Sequence, residues 1–352
     1  MRIIRIAMKL PPAIGGMENH IRHLSDLQIN QGLKLKILFN YGNINSINYT
    51  QITKLPLYRI KPQFFGVSIF YLLSIFFIFK NRLKADIIHI HGDWSSFLYI
   101  PFLSRILGAK KVVVTIHDDI SENIIYRYLL GRLLQKIDVI FSTGFKTKVD
   151  IESITKREVF FQPSGIDDVF YGNNLDYAKL NPTINILTVS RLDKKKRIEM
   201  ILQIAKERPS YQFIIIGEGK ERKKLIHIAN SEKITNINFL GEMTQKRLVK
   251  YYSNADIFLF TSKKEGTPGV LMEAMACGLP LVSSNAGMVS EFLKGDNIFL
   301  SVDKGFRDYL PFIDRLANNR ILREKISLQN IEYAKRFKWL HVATKINSVY
   351  TN

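Results

Sequence analysis

Short apolar runs rich in isoleucine and valine alternate along the chain with longer stretches of helical periodicity. In the first half, the predicted strands are residues 3–8, 35–39, 86–90, 112–116, 139–142 and 159–161. The predicted helices fall between them, at residues 17–31, 66–79, 121–135 and 145–153. Strands that are apolar throughout and separated by helices are typical of a parallel sheet covered on both faces. The first half is therefore predicted to form a doubly wound α/β domain.

A loop at residues 163–183, rich in glycine, asparagine, aspartate and proline, interrupts this alternation. The alternation then resumes, with predicted strands at residues 185–189, 213–216, 237–240, 257–261 and 281–283. A chain of 352 residues is longer than a single hydrophobic core usually serves. We therefore predict two Rossmann-like domains, residues 1–165 and 183–335, that face each other across a cleft. Residues 336–352 are predicted to close the chain as a helix.

The chain contains 51 lysines and arginines against 31 aspartates and glutamates, a formal net charge of +20. These basic residues lack zinc-finger spacing and an aromatic RNA-binding motif, so nucleic acid is not the expected partner. An anionic membrane surface or a phosphorylated substrate suits the charge better. The single cysteine, Cys277, fits a reducing compartment and is interpreted as inert packing. Because the first residues begin as a strand and lack the apolar core of a signal peptide, we expect a cytoplasmic protein.

Residues 64–79, with the sequence FFGVSIFYLLSIFFIF, are almost wholly apolar. This run is shorter than the ~20 residues that a helix needs to cross a bilayer. We interpret it as a helix buried against a sheet. The alternative is a helix that also touches lipid, helped by the basic sequence KNRLK at residues 80–84.

Two glutamates, Glu265 and Glu273, stand eight residues apart, with a Gly-Thr-Pro-Gly turn and the start of a predicted helix between them. The first amides of that helix, at Gly269, Val270 and Leu271, are suited to a diphosphate. Glu273, about one turn inside the helix, can accept hydrogen bonds from both hydroxyls of a ribose. Glu265 faces whatever lies beyond the phosphates, and it can accept the hydroxyls of a sugar there. The pattern is that of a nucleotide-sugar site, although acidic residues also favour helix starts for structural reasons alone.

The stretch EGTPGVLMEAMACGLPLV closely resembles the E-x7-E motif of the retaining family 4 glycosyltransferases, which have the GT-B fold. Further segments resemble other motifs of that family in the same order: PPAIGGMENH, DIIHIHG, VVVTIHD, QPSGIDDVF, VSRLDKKKR, IIIGEGKERKKL and INFLGEM. The ordered set covers nearly the whole chain. It implies a GT-B fold whose C-terminal helix returns to the first domain. It also implies transfer of a sugar from a nucleoside-diphosphate sugar with retained anomeric configuration and without a cofactor.

The resemblance assigns roles to the matching residues. Arg191 and Lys196 are implied to hold the donor diphosphate, which suits a bidentate guanidinium beside a flexible ammonium group. His117, at the end of a predicted strand, is implied to contact the transferred sugar near the β-phosphate. The other basic residues of this loop are interpreted as a solvated surface: Lys194, Lys195 and Arg197.

Besides Gly269, four glycines are candidates for donor binding. Gly15 and Gly16 follow the first predicted strand, where bare backbone can approach a phosphate or sugar closely. Gly217 and Gly241 match family turns that border the nucleotide. The alternative for Gly15 and Gly16 is an ordinary strand–helix turn. The alternative for Gly217 is a dinucleotide-binding loop, but Arg222 replaces the third glycine of that motif.

Histidines are the other candidates for chemistry in the first half. We expect His89 and His91 to point to opposite faces of their strand, and one of them to line an acceptor pocket. Glu18 and His20 begin the first predicted helix and are candidates for the acceptor side. Neither His89 nor His91 has other metal-ligating residues at a suitable spacing in the sequence. The chain also contains no Asp-x-Asp pair. We therefore predict catalysis without a metal ion.

Three departures from the family pattern concern the donor pocket. Ser190 stands where the family has glycine, Ser164 replaces an asparagine, and Thr267-Pro268-Gly269 replaces Phe-Gly-x. Because proline has no backbone N–H group, the edge of the pocket that faces the sugar can differ from that of the family. The identity of the donor sugar is therefore not assigned.

The resemblance and the composition together predict a transferase of bacterial surface polysaccharide biosynthesis, such as O-antigen, capsule or lipopolysaccharide. The donor is expected to be UDP- or GDP-linked, and the acceptor a glycan or a polyprenyl-diphosphate-linked glycan. The expected location is peripheral, on the inner face of the cytoplasmic membrane. The alternatives are a nucleotide-sugar epimerase of the same architecture and a non-catalytic basic protein of the membrane surface.

Overall fold

The computed structural model describes residues 1–9, 16–41, 52–55, 63–92, 94–117, 119–172 and 183–351. The chain divides into two compact units. The first comprises Met1–Gly165 and Trp339–Asn352, and the second comprises Ile166–Lys338.

The first unit is built on a sheet of seven described strands, and every neighbouring pair is parallel. The strands are β1 Arg2–Lys9, β2 Lys34–Tyr41, β3 Ile52–Lys54, β4 Ile87–His91, β5 Lys111–Ile116, β6 Val139–Ser142 and β7 Phe160–Phe161. Their order is β3-β2-β1-β4-β5-β6-β7. The strand order reverses between β1 and β4, so the loops after these strands diverge there and leave room for a ligand.

Six helices follow the strands of this unit within the described residues: α1 Gly16–Asn30, α2 Gln63–Lys80, α3 Trp94–Phe97, α4 Ile100–Leu107, α5 Ile124–Leu134 and α6 Phe145–Thr155. Helices α2 to α6 bury apolar residues against one face of the sheet, which includes Val112 and Val114. Helix α1 packs on the opposite face, which includes Val113. This alternation along β5 is the two-residue period of a strand that is buried on both faces. No helix in the described part of the chain is long and apolar enough to cross a membrane.

The second unit contains a parallel sheet of six described strands, in the order β10-β9-β8-β11-β12-β13. The strands are β8 Asn185–Val189, β9 Gln212–Ile216, β10 Ile237–Phe239, β11 Ile257–Phe260, β12 Leu281–Ser284 and β13 Ile298–Leu300. The helices are α7 Ile198–Glu207, α8 Arg222–Ser231, α9 Gln245–Asn254, α10 Gly269–Ala276, α11 Val289–Phe292, α12 Phe306–Ala317 and α13 Arg320–Ala334. The strand order reverses between β8 and β11. The loops after these two strands carry the residues predicted to bind the diphosphate and the sugar. The prediction of two Rossmann-like parallel sheets is confirmed.

The last helix, α14 Trp339–Thr351, belongs to the first unit. Its buried residues Val342, Ala343 and Ile346 join the same apolar cluster as α1 and one face of the sheet. The deeply buried Arg5 of β1 adds polar links to both helices. Its guanidinium donates to Gln28 Oε1 of α1 at 2.6 Å and to the Tyr350 hydroxyl of α14 at 3.4 Å. Strand β1 therefore ties the end of the chain to its beginning.

Backbone contacts between two loops position Arg191 in the second unit. The Ser190 N–H donates to the Ile216 carbonyl at 3.0 Å, and the Leu192 N–H donates to the Glu218 carbonyl at 2.9 Å. Gly217 lies between these pairs with φ of 141°, and a Cβ atom there would lie 1.9 Å from the Ser190 carbonyl oxygen. Only glycine allows this approach, so the glycine turn after β9 fixes the backbone on either side of Arg191.

We expect Ile346→Ala to lower the free energy of unfolding by about 2–5 kcal/mol, because it leaves a cavity between α14 and the sheet. The matched change on the same helix, Leu340→Ala, removes a side chain that is 55% exposed. It should cost less than about 0.5 kcal/mol. Urea denaturation followed by circular dichroism measures both. Equal losses in the two variants would contradict the packing of α14.

We expect Gly217→Ala to lower the melting temperature clearly, because the substitution combines a strained φ with a backbone collision. Gly269→Ala is the control: its φ is ordinary, and a Cβ atom there meets nothing within 4 Å. Alanine also forms helices better than glycine, so this variant should be as stable as the parent or slightly more stable. Thermal unfolding distinguishes the two, and a neutral Gly217→Ala variant would contradict the loop contact.

Candidate functional site

Lys196 and Glu265 form an ion pair at the carboxyl edge of the second unit's sheet. Lys196 follows β8 and Glu265 follows β11, and these strands are neighbours. The Lys196 ammonium group donates to Glu265 Oε1, and the side chains are only 14% and 11% exposed. Lys196 Nζ also lies 5.5 Å from the centroid of the Phe260 ring. The pair places a cation and a carboxylate side by side where ligands of such sheets bind.

The two loops that carry this pair are joined by further hydrogen bonds. The Thr261 hydroxyl donates to the Lys196 carbonyl at 2.9 Å, and the Lys263 N–H donates to the Lys195 carbonyl at 2.7 Å. Arg197 donates through Nε to the Thr261 carbonyl at 2.6 Å and through a terminal nitrogen to the Val302 carbonyl at 2.7 Å. The interpretation of Arg197 as part of a solvated surface is therefore wrong, because its guanidinium links three loops. Lys194 and Lys195 are exposed, as expected of a solvated surface.

Arg191 lies on the same sheet edge with an exposed side chain. No other described residue forms an ion pair or side-chain hydrogen bond with its guanidinium. Its backbone is held between the paired residues Ser190 and Leu192, as described above. A fixed backbone with an available guanidinium suits the recognition of an incoming anion. Gly241 supports the same turn, because its carbonyl accepts from the Gly217 N–H at 2.8 Å.

Glu273 lies on α10, one turn from its start, and is partly buried. The hydroxyl of Tyr252, which is fully buried on α9, donates to Glu273 Oε2 at 2.9 Å. Burial raises the pKa of Glu273 to about 7, the negative charge of Asp167 adds to the rise, and the Tyr252 hydrogen bond opposes it. A carboxyl group with this pKa is about half ionised at neutral pH. Ligand hydroxyls that donate to it will favour the ionised form.

The N-terminus of α10 offers fewer amides than the sequence suggests. The Leu271 N–H donates to the Pro268 carbonyl at 3.1 Å and is therefore engaged in the first turn. Gly269 and Val270 are partly exposed, and open space lies beside Gly269. The first two residues of the helix are thus the accessible part of the predicted anion site.

Tyr252 and Gly287 are the supporting residues of this edge that sequence reasoning missed. Tyr252 is an ordinary aromatic residue of an amphipathic helix, and nothing local marks it as the partner of Glu273. Gly287, in the turn after β12, has φ of 74° and packs against the backbone of Glu265 and Gly266. The Asn-Ala-Gly sequence of that turn was the available signal.

Three imidazole rings converge at the carboxyl edge of the first unit's sheet. His91 Nδ1 lies 3.1 Å from His117 Nε2, and the His20 ring centroid lies 5.2 Å from that of His117. Burial lowers the pKa of His117 to about 3 and lowers the pKa values of His20 and His91 well below the usual value. The rings are therefore neutral at physiological pH, and each can both donate and accept a hydrogen bond. Within the described residues, no group of histidine, cysteine and acidic side chains could hold a metal ion.

The expectation that His89 and His91 point to opposite faces is wrong. Residues two apart on a strand share a face, and the two ring centroids are 4.2 Å apart. His89 is held below the edge by Tyr350, at 2.5 Å from Nδ1, and by Thr115, at 2.7 Å from Nε2. His91, nearer the carboxyl end of β4, reaches His117.

The start of α1 and the residues after β7 complete this edge. Gly16 has open space around it, and Glu18 is buried in the first turn. Gly15 lies outside the described residues. Ser164, which departs from the family asparagine, lies 3.0 Å from His20 Nδ1. Trp339, which the sequence analysis did not single out, stacks on His23 with centroids 4.9 Å apart.

Two family models match the chain over most of its length. Residues 14–169 match Glycosyltransferase Family 4, and residues 177–333 match Glycosyl transferases group 1. The chain is 24% identical, over 371 aligned positions, to a phosphatidylinositol N-acetylglucosaminyltransferase subunit of Arabidopsis thaliana, covering 99% of this chain and 81% of the relative. It is 27% identical over 301 positions to the O-antigen biosynthesis glycosyltransferase WclY of Escherichia coli, covering 78% of this chain and 81% of the relative.

Solved structures share the fold of this chain. The structure of HepE from Anabaena in complex with UDP aligns with a TM-score of 0.80 and 15% identity, covering 100% of both chains. Two family matches in chain order, on two parallel α/β sheets with this structural likeness, agree with the motifs in the sequence. The chain belongs to the group 1, family 4 glycosyltransferases and has the GT-B fold.

Proposed function

We propose that this glycosyltransferase takes a sugar from a UDP- or GDP-linked donor and transfers it, with retained configuration, to a glycan or a lipid-linked glycan. The observation that carries the proposal is the pairing of Lys196 with Glu265 beside the open start of α10. A buried ion pair is costly to desolvate and is weak support for stability, so its position at a ligand edge favours a binding role. The structure of HepE contains UDP, which makes UDP the first nucleotide to test.

The donor diphosphate is proposed to bind between Arg191, Lys196 and the first amides of α10. In the unliganded state Glu265 neutralises Lys196, which keeps the ammonium group in place. When a diphosphate binds, the ammonium group shifts its strongest contact towards the anion, and Glu265 becomes available to accept the hydroxyls of the sugar. As the bond to the sugar breaks, negative charge grows on the departing diphosphate, and these fixed cations and dipoles stabilise it. They take the place of a metal ion in the proposal.

The nucleoside is proposed to lie along α10, where the ionised Glu273 accepts hydrogen bonds from the ribose hydroxyls. The buried Tyr252 hydroxyl holds one carboxylate oxygen and leaves lone pairs for the ribose. Gly217 and Gly241 are proposed to form the turn that borders the nucleotide.

The first unit is proposed to bind the acceptor and to contribute His117 to the transferred sugar. Because the His117 ring is neutral, its proposed role is hydrogen bonding and not proton donation from an imidazolium ion. Gly15 and Gly16 are proposed to let the backbone approach the donor.

The proposed setting is bacterial surface polysaccharide assembly, on the inner face of the cytoplasmic membrane. The name of WclY refers to O-antigen, and that of the Arabidopsis relative refers to phosphatidylinositol. A lipid-linked acceptor is consistent with both names and with the net charge of +20. Such an acceptor would explain why a basic enzyme works at an anionic surface.

Calorimetric titration with UDP, GDP and ADP tests the donor site without knowledge of the acceptor. We expect one nucleotide to bind, and Lys196→Ala to weaken its binding at least tenfold, because the cation is lost and the Glu265 charge is left facing the diphosphate. The control Lys195→Ala removes an exposed neighbour and should change affinity less than about twofold. Glu265→Gln frees Lys196, so it should bind the bare nucleotide as tightly as the parent or more tightly. Binding by Lys196→Ala equal to that of the parent would refute the site.

The pKa of Glu273 predicts how donor affinity depends on pH. Hydroxyl donors favour the carboxylate, so the affinity for UDP-glucose or GDP-mannose should rise as pH increases through about 7 and level off above about 8. These diester diphosphates do not titrate in this range, so the dependence reports the protein. Binding near pH 6.5 should release a proton, which appears as a dependence of the heat on the buffer.

Two variants separate Glu273 from other titrating groups. Glu273→Gln should remove the pH dependence, because the glutamine amide does not titrate in this range. Tyr252→Phe removes the hydrogen bond that lowers the pKa of Glu273, so the rise in affinity should move to higher pH. A pH dependence that persists unchanged in Glu273→Gln would assign it to another group.

A further inference from the structure

The first unit exposes an unusual amount of apolar side chain on three helices. Helix α2 presents Phe76 and Phe79, which are 62% and 71% exposed, and α5 presents Ile124, which is 82% exposed. Among the described residues, those on and beside α2, α4 and α5 with such exposure are Phe65, Leu72, Leu73, Phe76, Phe79, Leu98, Phe102, Ile124, Ile125, Tyr128 and Leu129. The described residues of the second unit expose only three large apolar side chains, Leu240, Ile321 and Leu328. Scattered apolar residues are normal on a surface, whereas a concentration of this kind marks an interaction site.

These helices form one continuous layer. Helix α2 contacts both α3 and α4, and α3 contacts α5. All four bury residues in the same apolar cluster on one face of the sheet. Their outward side chains therefore share the outer surface of that layer, here called the apolar patch and defined by the residues of α2, α4 and α5 given above.

The charged residues of the three helices that carry the apolar patch are all basic. Helices α2, α4 and α5 contain no aspartate or glutamate, and their charged residues are Lys80, Arg105, Arg127 and Arg132. Lys84, just after α2, donates to the carbonyl of Ile106 on α4 at 3.3 Å. This contact brings the basic sequence after α2 next to the end of α4, where Arg105 is exposed. Among the described residues, Arg127 is the one member of the four that forms an ion pair, with an aspartate of α6.

We propose that the apolar patch docks this enzyme on an anionic lipid bilayer. Apolar side chains on α2 and α5 would enter the boundary between headgroups and acyl chains, as the apolar face of an interfacial helix does. Lys80, Arg105 and Arg132 would reach anionic headgroups at the rim, since long basic side chains keep their charge in the polar region while their stems lie on apolar surface.

A lipid bilayer explains the combination of features better than a protein partner does. A protein–protein interface typically has a polar rim that forms direct hydrogen bonds with the partner. The patch instead combines aliphatic and aromatic side chains with only basic charged residues on the three helices that carry it, which complements a negatively charged surface. The proposal rests on the proposed function in one respect: a lipid-linked acceptor gives the enzyme a reason to dock there.

Vesicle sedimentation of the full chain without nucleotide tests the patch. We expect binding to vesicles of phosphatidylglycerol mixed with phosphatidylethanolamine, and much weaker binding to phosphatidylcholine alone. The variant Leu72→Gln/Phe76→Gln/Phe79→Gln should reduce the partition coefficient at least about tenfold, because three apolar side chains no longer enter the bilayer. The matched control is Ile321→Gln/Leu328→Gln, which replaces exposed apolar residues of the second unit and should leave the partition within about twofold.

Charge is tested separately from apolar contact. Lys80→Gln/Arg105→Gln should weaken binding to the anionic vesicles by about fivefold for each charge removed and reduce its dependence on salt. The folding of each variant is checked by circular dichroism and thermal unfolding. Equal sedimentation of the parent and the α2 variant would overturn the proposal. So would analytical ultracentrifugation showing a dimer that the α2 substitutions dissociate, because a second copy would then cover the patch.

The outcomes separate this inference from the proposed function. Vesicle binding that depends on the patch, with no nucleotide binding by the parent, would support the docking surface and reject the donor site. Nucleotide binding that depends on Lys196, with no vesicle binding, would reject the docking surface and support the donor site.

Discussion

Parallel pairing of the strands is the constraint on which both candidate edges depend. In a parallel sheet every carboxyl end lies on the same edge, and each return of the chain requires a crossover. Residues distant in sequence therefore meet whenever their strands are neighbours. Lys196 and Glu265 are 69 residues apart and meet because β8 pairs with β11. His91 and His117 are 26 residues apart and meet because β4 pairs with β5. The reversal of strand order in each sheet then opens space beside these contacts.

In the second unit, charged and titratable side chains are held in fixed positions at this edge of the sheet. A lysine or a glutamate as little exposed as Lys196 and Glu265 would be costly without an opposite charge beside it, so the two side chains hold each other in place. Arg191 differs: its backbone is clamped by the Gly217 turn while its guanidinium is available. Glu273 is held near the midpoint of its titration by burial and by Tyr252. This edge thus includes the neutralised Lys196, the available Arg191 and, in Glu273, a carboxyl group that a ligand can ionise. This arrangement suits an anionic ligand that also carries hydroxyl groups.

Sequence patterns predicted what depends on local chemistry and missed what depends on strand order. The apolar runs located most strands and helices, because burial on both faces leaves a continuous signal. The strands Ile52–Lys54 and Ile298–Leu300, each at one edge of its sheet, were missed. The family motifs predicted that the loops after β8 and β11 contribute to one site. They did not predict that the Arg197 side chain points inward, because its position depends on carbonyl groups of loops elsewhere in the chain. The error on His89 and His91 has another cause, because the two-residue period of a strand was sufficient to place them on one face.

The returning helix α14 also influences the chemistry of the first unit. Arg5 is fully buried, and no acidic residue among those described pairs with it; neutral oxygens of Ser25, Gln28 and Tyr350 accept its hydrogen bonds instead. Its charge is therefore uncompensated, and it lowers the pKa of His20, His89 and His91 beyond the effect of burial. Tyr350 of α14 contacts both Arg5 and His89, so the last helix helps to hold the cation that adds to the effect of burial on the pKa of these imidazoles. A neutral His91 can either donate to or accept from His117, whereas a protonated one could only donate. Helix α14, at the end of the chain, thereby influences the hydrogen bond between His91 and His117, which follows β5.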